Sequence, residues 1–171
     1  MGCDLLEILE TNGPRLFAVL ARLTMSEHVA EDLLQDLFIK LSKGSQLTAA
    51  VDPVAYTHKT AINLALDWRR CRKPTMALTT TDIEKRVGNA SPLEGLAQKE
   101  EIQRILDAAV SLSDLLREAF TMRYVEQRSY EEIGHLLGKT PHQARAICAK
   151  ATVKIRAAMS NTVSLADRRG G

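Results

Sequence analysis

Apolar residues return at helical intervals along most of the chain. After Pro14, Leu16, Phe17, Leu20 and Leu23 share one helical face, and Leu33, Leu34, Leu37, Phe38 and Leu41 repeat the pattern beyond a break at Thr24, Met25 and Ser26. The spacing predicts two amphipathic helices. Gly44 to Asp52 has no period and ends in Asp52-Pro53, an N-cap followed by a proline at the first helical position, which predicts a third helix to about Cys71. Residues 1–72 therefore read as a small helical module. Residues 73–95 hold Pro74, Thr79-Thr80-Thr81, Gly88-Asn89 and Ser91-Pro92, a helix-breaking composition that reads as a linker. The helical period resumes from Leu96 to Val110, and Ser113 can cap a helix reaching Tyr124. Ser129 with Glu132 three residues later has the form of a capping box for a short helix ended by Gly138. Thr140-Pro141 then opens a helix to about Met159, so that 96–158 reads as a second module and 159–171 as a tail.

The last two of these helices, joined by Gly138-Lys139-Thr140, have the form of a helix-turn-helix, with Gly134 and Ala144 as the small residues at the closest approach. Ala144, Ile147, Cys148, Ala151 and Ile155 make the inward stripe of the second helix, leaving His142, Gln143, Arg145, Lys150 and Lys154 to project elsewhere. Gly138 to Ala158 contains no Asp or Glu, which suits a surface facing the major groove; a helical hairpin with a solvated basic face is the plainer alternative.

Composition agrees with an all-α fold of two small modules: 45% of the 171 residues are hydrophobic but only 4% aromatic, and Leu and Ala dominate. Cys3, Cys71 and Cys148 share no pairing or metal-ligand spacing, the four histidines are far apart, and no nucleophile-base or phosphate-loop grouping is present. No catalytic site, metal or cofactor is expected. No apolar run approaches the roughly 20 residues of a membrane span, so no membrane insertion is expected and a cytoplasmic protein is.

Charge changes the picture more. The formal net charge is only +2, yet it alternates in blocks: −4 over Met1 to Trp68, +4 over Arg69 to Lys73, −4 over Pro74 to Leu137 and +6 over Gly138 to Gly171. Each module has an acidic body and a basic end, which makes nucleic acid a candidate partner at two places and a basic protein a candidate elsewhere.

Arg117-Glu118-Ala119-Phe120, Met122-Arg123-Tyr124-Val125-Glu126, Ser129-Tyr130-Glu131-Glu132-Ile133-Gly134 and Leu136-Leu137-Gly138 together resemble region 4 of bacterial extracytoplasmic-function sigma factors. Ala30 to Phe38 (AEDLLQDLF) resembles region 2.2 of that family, and Ala61 with Asn63 to Asp67 and Arg69-Arg70 resembles region 2.4. The similarity spans about Pro14 to Arg72 and Leu96 to Ala158, in the family's order.

The resemblance implies core RNA polymerase and promoter DNA as partners and leaves an anti-sigma factor open as a third. Glu31 with Gln35, and Asp32 with Asp36, are i,i+4 pairs; like charges stacked so cost stability that a complementary partner relieves. That partner would be the clamp helices of the largest polymerase subunit. Tyr56, Lys59, Asn63, Arg69 and Arg70 would bind the minus-ten element, the arginines neutralising phosphate and Tyr56 offering its ring to an unstacked base, while Lys43 to Asp52 would accept a flipped base. Trp68 is expected in the core. Thr140, His142, Gln143, Arg145 and Lys150 would contact the minus-thirty-five element. Ala146, Ile147 and Ala149 depart from the family, which commonly has a polar residue, an arginine and a histidine or aromatic there. A self-sufficient helix-turn-helix regulator with an N-terminal sensing or dimerisation module is the rival reading; an enzyme of nucleic-acid processing has no residues to support it.

Overall fold

The computed structural model describes residues 5–44, 46–72 and 92–167, and all regular structure among them is helical. Two compact units divide between residues 85 and 86.

In the first unit, α1 (Leu5–Thr24), α2 (Glu27–Lys43) and α4 (Pro53–Cys71) pack pairwise, with the short α3 (Gln46–Ala49) against α4. Their common core is built by Leu16, Val19, Leu20 and Leu23 of α1, Ala30, Leu33, Leu37 and Leu41 of α2, and Ala61, Ile62, Ala65 and Leu66 of α4. Burying each leucine of such a set contributes about 1.5–3 kcal/mol. Ser26 caps α2 by accepting from the Val29 amide, and Asp52 caps α4 by accepting from the Ala55 amide at 2.9 Å, with Pro53 at the first helical position.

Sequence expectations about the helices change at several points in this unit. α1 begins at Leu5 and runs through Pro14, which forfeits one backbone hydrogen bond but keeps the helix because Ile8 and Leu16, on either side of it, are both buried. The segment before Asp52, without a period in the sequence, forms α3. Phe38, placed by period on the apolar face, is 41% exposed.

In the second unit, α5 (Pro92–Val110), α6 (Asp114–Phe120), a π-helical turn (Thr121–Val125), α7 (Tyr130–Leu137) and α8 (Pro141–Asp167) follow in order. Pro92 therefore opens a helix, shortening the expected linker at its end; 73–91 lies outside the described residues. The helix begun at Ser113 widens into the π turn before its end, and Ser113 makes no side-chain cap bond. The last helix continues through Asp167, where a tail was expected from 159; residues 168–171 lie outside the described set.

Two contiguous clusters make the core of this unit. Ala109, Leu112, Leu116, Phe120, Ala151 and Ile155 form one, and Ala119, Met122, Ile133, Ala144 and Cys148 the other, with Ile147 packed against both. Much of the motif that carries the family resemblance lies inside this body. Arg117 is 6% exposed and donates to the Leu112 carbonyl at 3.0 Å, Glu118 is buried, and Arg128 pairs with the buried carboxylate of Glu126 at 2.8 Å. Arg123 donates to the Arg128 carbonyl and lies over the Tyr130 ring at 4.6 Å.

After the π turn the chain reverses through Gln127, which is exposed and sits in the left-handed region at φ 59°. A side chain there costs roughly 1–2 kcal/mol, whereas glycine avoids the clash and loses about 0.5–1 kcal/mol in chain entropy. Gln127→Gly is accordingly expected to stabilise the second unit slightly, by about 0.5 kcal/mol, raising its melting temperature by about 2–4 °C in a thermal scan. A lowered midpoint would show that the side chain stabilises the turn in another way.

Candidate nucleic-acid interface

The helix-turn-helix is set by local chemistry. Both halves of the capping box form at α7: the Glu132 amide donates to Ser129 Oγ at 3.2 Å and the Ser129 amide to Glu132 Oε2 at 2.9 Å. Gly138 closes α7 in the left-handed conformation (φ 62°), with the Lys139 amide bonding back to the Gly134 carbonyl at 2.8 Å, a Schellman-type end. α8 opens with a second capping box that the sequence reading missed. The Gln143 amide donates to Thr140 Oγ1 at 3.2 Å and the Thr140 amide to Gln143 Oε1 at 3.0 Å. The Thr-x-x-Gln spacing was the available signal.

Ala144, Cys148, Ala151 and Ile155 are buried, while His142, Gln143, Arg145 and Lys150 are exposed on the other side of α8 with Ala146 and Ala149. Ile147 is half-buried against both core clusters, so a cation there would be drawn out of water. Burial also pushes the Cys148 thiol up, more than Arg123 lowers it; its Sγ lies 3.6 Å from the Ala119 carbonyl oxygen.

On α4 the expected minus-ten residues part company. Lys59 and Arg70 are exposed, Tyr56 and Asn63 half-buried, and the Tyr56 hydroxyl donates to Gln46 Oε1 at 2.6 Å, tying α4 to α3. Arg69 does not belong with them. It is 5% exposed and its Nη1 donates to the Leu23 carbonyl at 2.8 Å, joining the last turn of α4 to the end of α1. A guanidinium used to satisfy a carbonyl inside the bundle is out of reach of phosphate, so its expected place in the minus-ten set is corrected. Arg70 pairs with Asp67 at 3.1 Å on the surface, which contributes little and leaves it open to compete for phosphate. Trp68 is half-buried, with Arg72 over its ring at 5.2 Å, and is not among the core residues.

The two arginines separate experimentally. Arg69→Met is expected to cost the first unit about 1–3 kcal/mol by stranding a buried carbonyl, without altering the salt slope of promoter binding. Arg70→Ala should leave the fold intact and reduce that slope by about 0.7–0.9. Salt titration of promoter binding and a thermal melt on both variants check the pair; a reduced slope for Arg69→Met would return it to the DNA-facing set.

On α2, Glu31, Asp32, Gln35 and Asp36 are all exposed and share a surface, with His28 3.9 Å from Asp32. Next to them the sequence reading missed an apolar groove of about 560 Å³, walled by Leu9, Gly13, Leu34, Phe38 and Ile39 and rimmed by Glu31 and Gln35. Exposed apolar side chains beside carboxylates make a surface that can take an apolar anchor and a cation together. No helix among the described residues is long and apolar enough to cross a membrane.

Comparison with known proteins accounts for this layout. Residues 8–75 match the model of Sigma-70 region 2 and residues 102–146 that of Sigma-70, region 4. The chain is 26% identical to the ECF RNA polymerase sigma factor SigM of Bacillus subtilis, over 92% of this chain and 96% of that one. It is 27% identical to the RNA polymerase sigma factor CarQ of Myxococcus xanthus, over 88% and 86% of the two chains. To the ECF RNA polymerase sigma factor SigK of a Mycobacterium it is 30% identical, over 72% and 66%. Both modules match, in order, which a free-standing regulator with an unrelated N-terminal module would not do. The chain belongs to the sigma-70 family of RNA polymerase sigma factors, in its extracytoplasmic-function branch.

Proposed function

We propose that this sigma factor divides its work between the two units as follows. The acidic face of α2 (Glu31, Asp32, Gln35, Asp36) and the apolar groove beside it dock on core polymerase. Tyr56, Lys59, Asn63 and Arg70 of α4 engage the minus-ten element, with Arg69 holding that helix end in place. Thr140, His142, Gln143, Arg145 and Lys150 lie at the minus-thirty-five element, Thr140 and Gln143 acting first as the cap that positions α8.

The observation that carries the reading is the separation of charge within the first unit: four polar or acidic side chains exposed together on α2, against cations gathered at the end of α4. One surface suits a basic protein and the other suits nucleic acid. The sigma-factor family is not an enzyme class, and strand opening here draws on binding to single-stranded DNA rather than on catalysis or a cofactor. The reading places the chain in the cytoplasm with its polymerase; an anti-sigma factor covering the α2 face would compete with polymerase for it.

The test is whether tagged protein co-purifies with stoichiometric core polymerase and supports transcription from a bare promoter. Footprinting of DNA by the chain alone, as a dimer on a palindrome and without polymerase, would overturn it.

A further inference from the structure

Building on the reading of α8 as the duplex-facing helix, we propose that it reads its upstream element chiefly through thymine methyl groups, with Ala146 and Ala149 as the specificity-determining residues.

The buried stripe of α8 is Ala144, Cys148, Ala151 and Ile155. Two residues back from each lie His142, Ala146, Ala149 and Val153, about 200° further round a helix of 3.6 residues per turn. All four are exposed, Val153 to 64%. The line of α8 that points straight away from the core therefore carries three hydrocarbon side chains and one imidazole. Exposed cations flank it, Arg145 and Arg156 on one side and Lys150 and Lys154 on the other. Cations at the edges suit the two phosphate strands that border a groove, which leaves the central line facing base edges.

What that line can read follows from its chemistry. Alanine offers no hydrogen bond to distinguish a guanine or adenine edge, but its methyl packs against the C5-methyl of thymine, which only A·T and T·A pairs present in the major groove. Gln143 stands beside the line, yet its Oε1 is engaged by the Thr140 amide. The two-pronged amide contact to adenine needs that oxygen together with the nitrogen, so Gln143 cannot make it while it caps the helix. His142 remains as the one polar reader on the line. Sequence choice thus rests on methyl contacts, and the grip on the duplex rests on the flanking cations.

The experiment uses the full chain assembled with core polymerase and a promoter library randomised over the upstream element. The library is prepared once with thymidine and once with deoxyuridine, which lacks only the methyl. The expected result is an element with thymine at two or more positions facing α8, and binding weakened about fourfold for each methyl removed, with an unchanged salt slope. Ala149→Gln, at an exposed position that tolerates glutamine, should shift the selected element towards adenine at one position. Equal binding of the two libraries, or a selected element of G·C pairs weakened by 7-deazaguanine, would overturn the inference while leaving DNA binding by α8 in place. A chain that does not assemble with core, or that selects no upstream position at all, would overturn the underlying reading and the inference with it.

Discussion

Gly134→Ala is expected to unfold the helix-turn-helix or bring its melting temperature down by about 8–16 °C, although alanine is the better helix former. A Cβ built on Gly134 would lie 2.7 Å from the Lys139 carbonyl oxygen, 3.2 Å from the Thr140 carbonyl carbon and 3.3 Å from the Pro141 nitrogen. These are backbone atoms of the turn itself. They cannot swing aside as a side chain would, and moving them breaks the bond from the Lys139 amide to the Gly134 carbonyl and the cap of α8. Relief of the clash costs about 3 kcal/mol or more, against a helix-propensity gain of about 1 kcal/mol, so the clash wins by about 2 kcal/mol. Gly95→Ala is the control: Gly95 lies in α5 of the same unit with nothing within 4 Å of the new methyl, and there the propensity gain should stand alone. Thermal unfolding of the full chain with each variant checks both. An unchanged midpoint for Gly134→Ala would mean that the turn yields at little cost.

Reversing charge on α2 should have a larger effect on binding than Gly134→Ala has on folding. The proposed polymerase-facing carboxylates of Asp32 and Asp36 are exposed, with His28 only in long approach to Asp32 at 3.9 Å, so the fold does not depend on them. Replacing both with lysine keeps the i,i+4 like-charge pair and leaves helix content and melting temperature nearly unchanged. Against a basic partner, two attractions become two repulsions, each worth several kcal/mol when brought into contact. Affinity for core polymerase should fall by at least about a thousandfold. Fluorescence anisotropy of labelled protein titrated with core polymerase, at low and moderate salt, reads the loss. Unaltered binding by the folded double variant would move the interface elsewhere.

Both of these sites could be found from local sequence alone. Gly134 could be read because helix-turn-helix geometry is local: a capping box, a left-handed glycine and a small residue at the crossing all lie within about a dozen positions. The exposed acids of α2 were legible for the same reason, from their spacing beside Leu33, Leu37 and Leu41. Arg69 was not. In the run Arg69-Arg70-Cys71-Arg72-Lys73 it looks like one more solvated cation, and its interior place depends on the Leu23 carbonyl, 46 positions away. Pro14 misled by its strength as a start signal, where core contacts on both sides carry the helix through it. Thr140 and Gln143 were read by the chemistry they could offer DNA, when their first use is to satisfy each other's backbone. The groove walled by Phe38 and Ile39 needed α1 in place beside α2, which no single helix discloses.

The buried thiol of Cys148 gives the second unit a natural gauge of its own opening. Alkylation needs a thiolate in contact with reagent, and Cys148 is 1% exposed, is held as the thiol by burial, and lies against the Ala119 carbonyl. Cys71 is exposed on α4 and can be modified without any unfolding. Cys148 reacts only in molecules whose α6–α8 contact has come apart. Its labelling rate is then the free-thiol rate scaled by the fraction of time spent open, about one part in ten thousand for an opening free energy of about 5.5 kcal/mol. A folded thiol held above its ordinary range also takes no proton change at neutral pH, so stability linked to it declines only as pH rises into and beyond the thiol range of about 8–9. Polymerase or promoter DNA bound to this unit would slow the labelling about tenfold for each 1.4 kcal/mol of binding energy it adds, which turns one sulfur into a readout of how tightly the helix-turn-helix is held in each complex it enters.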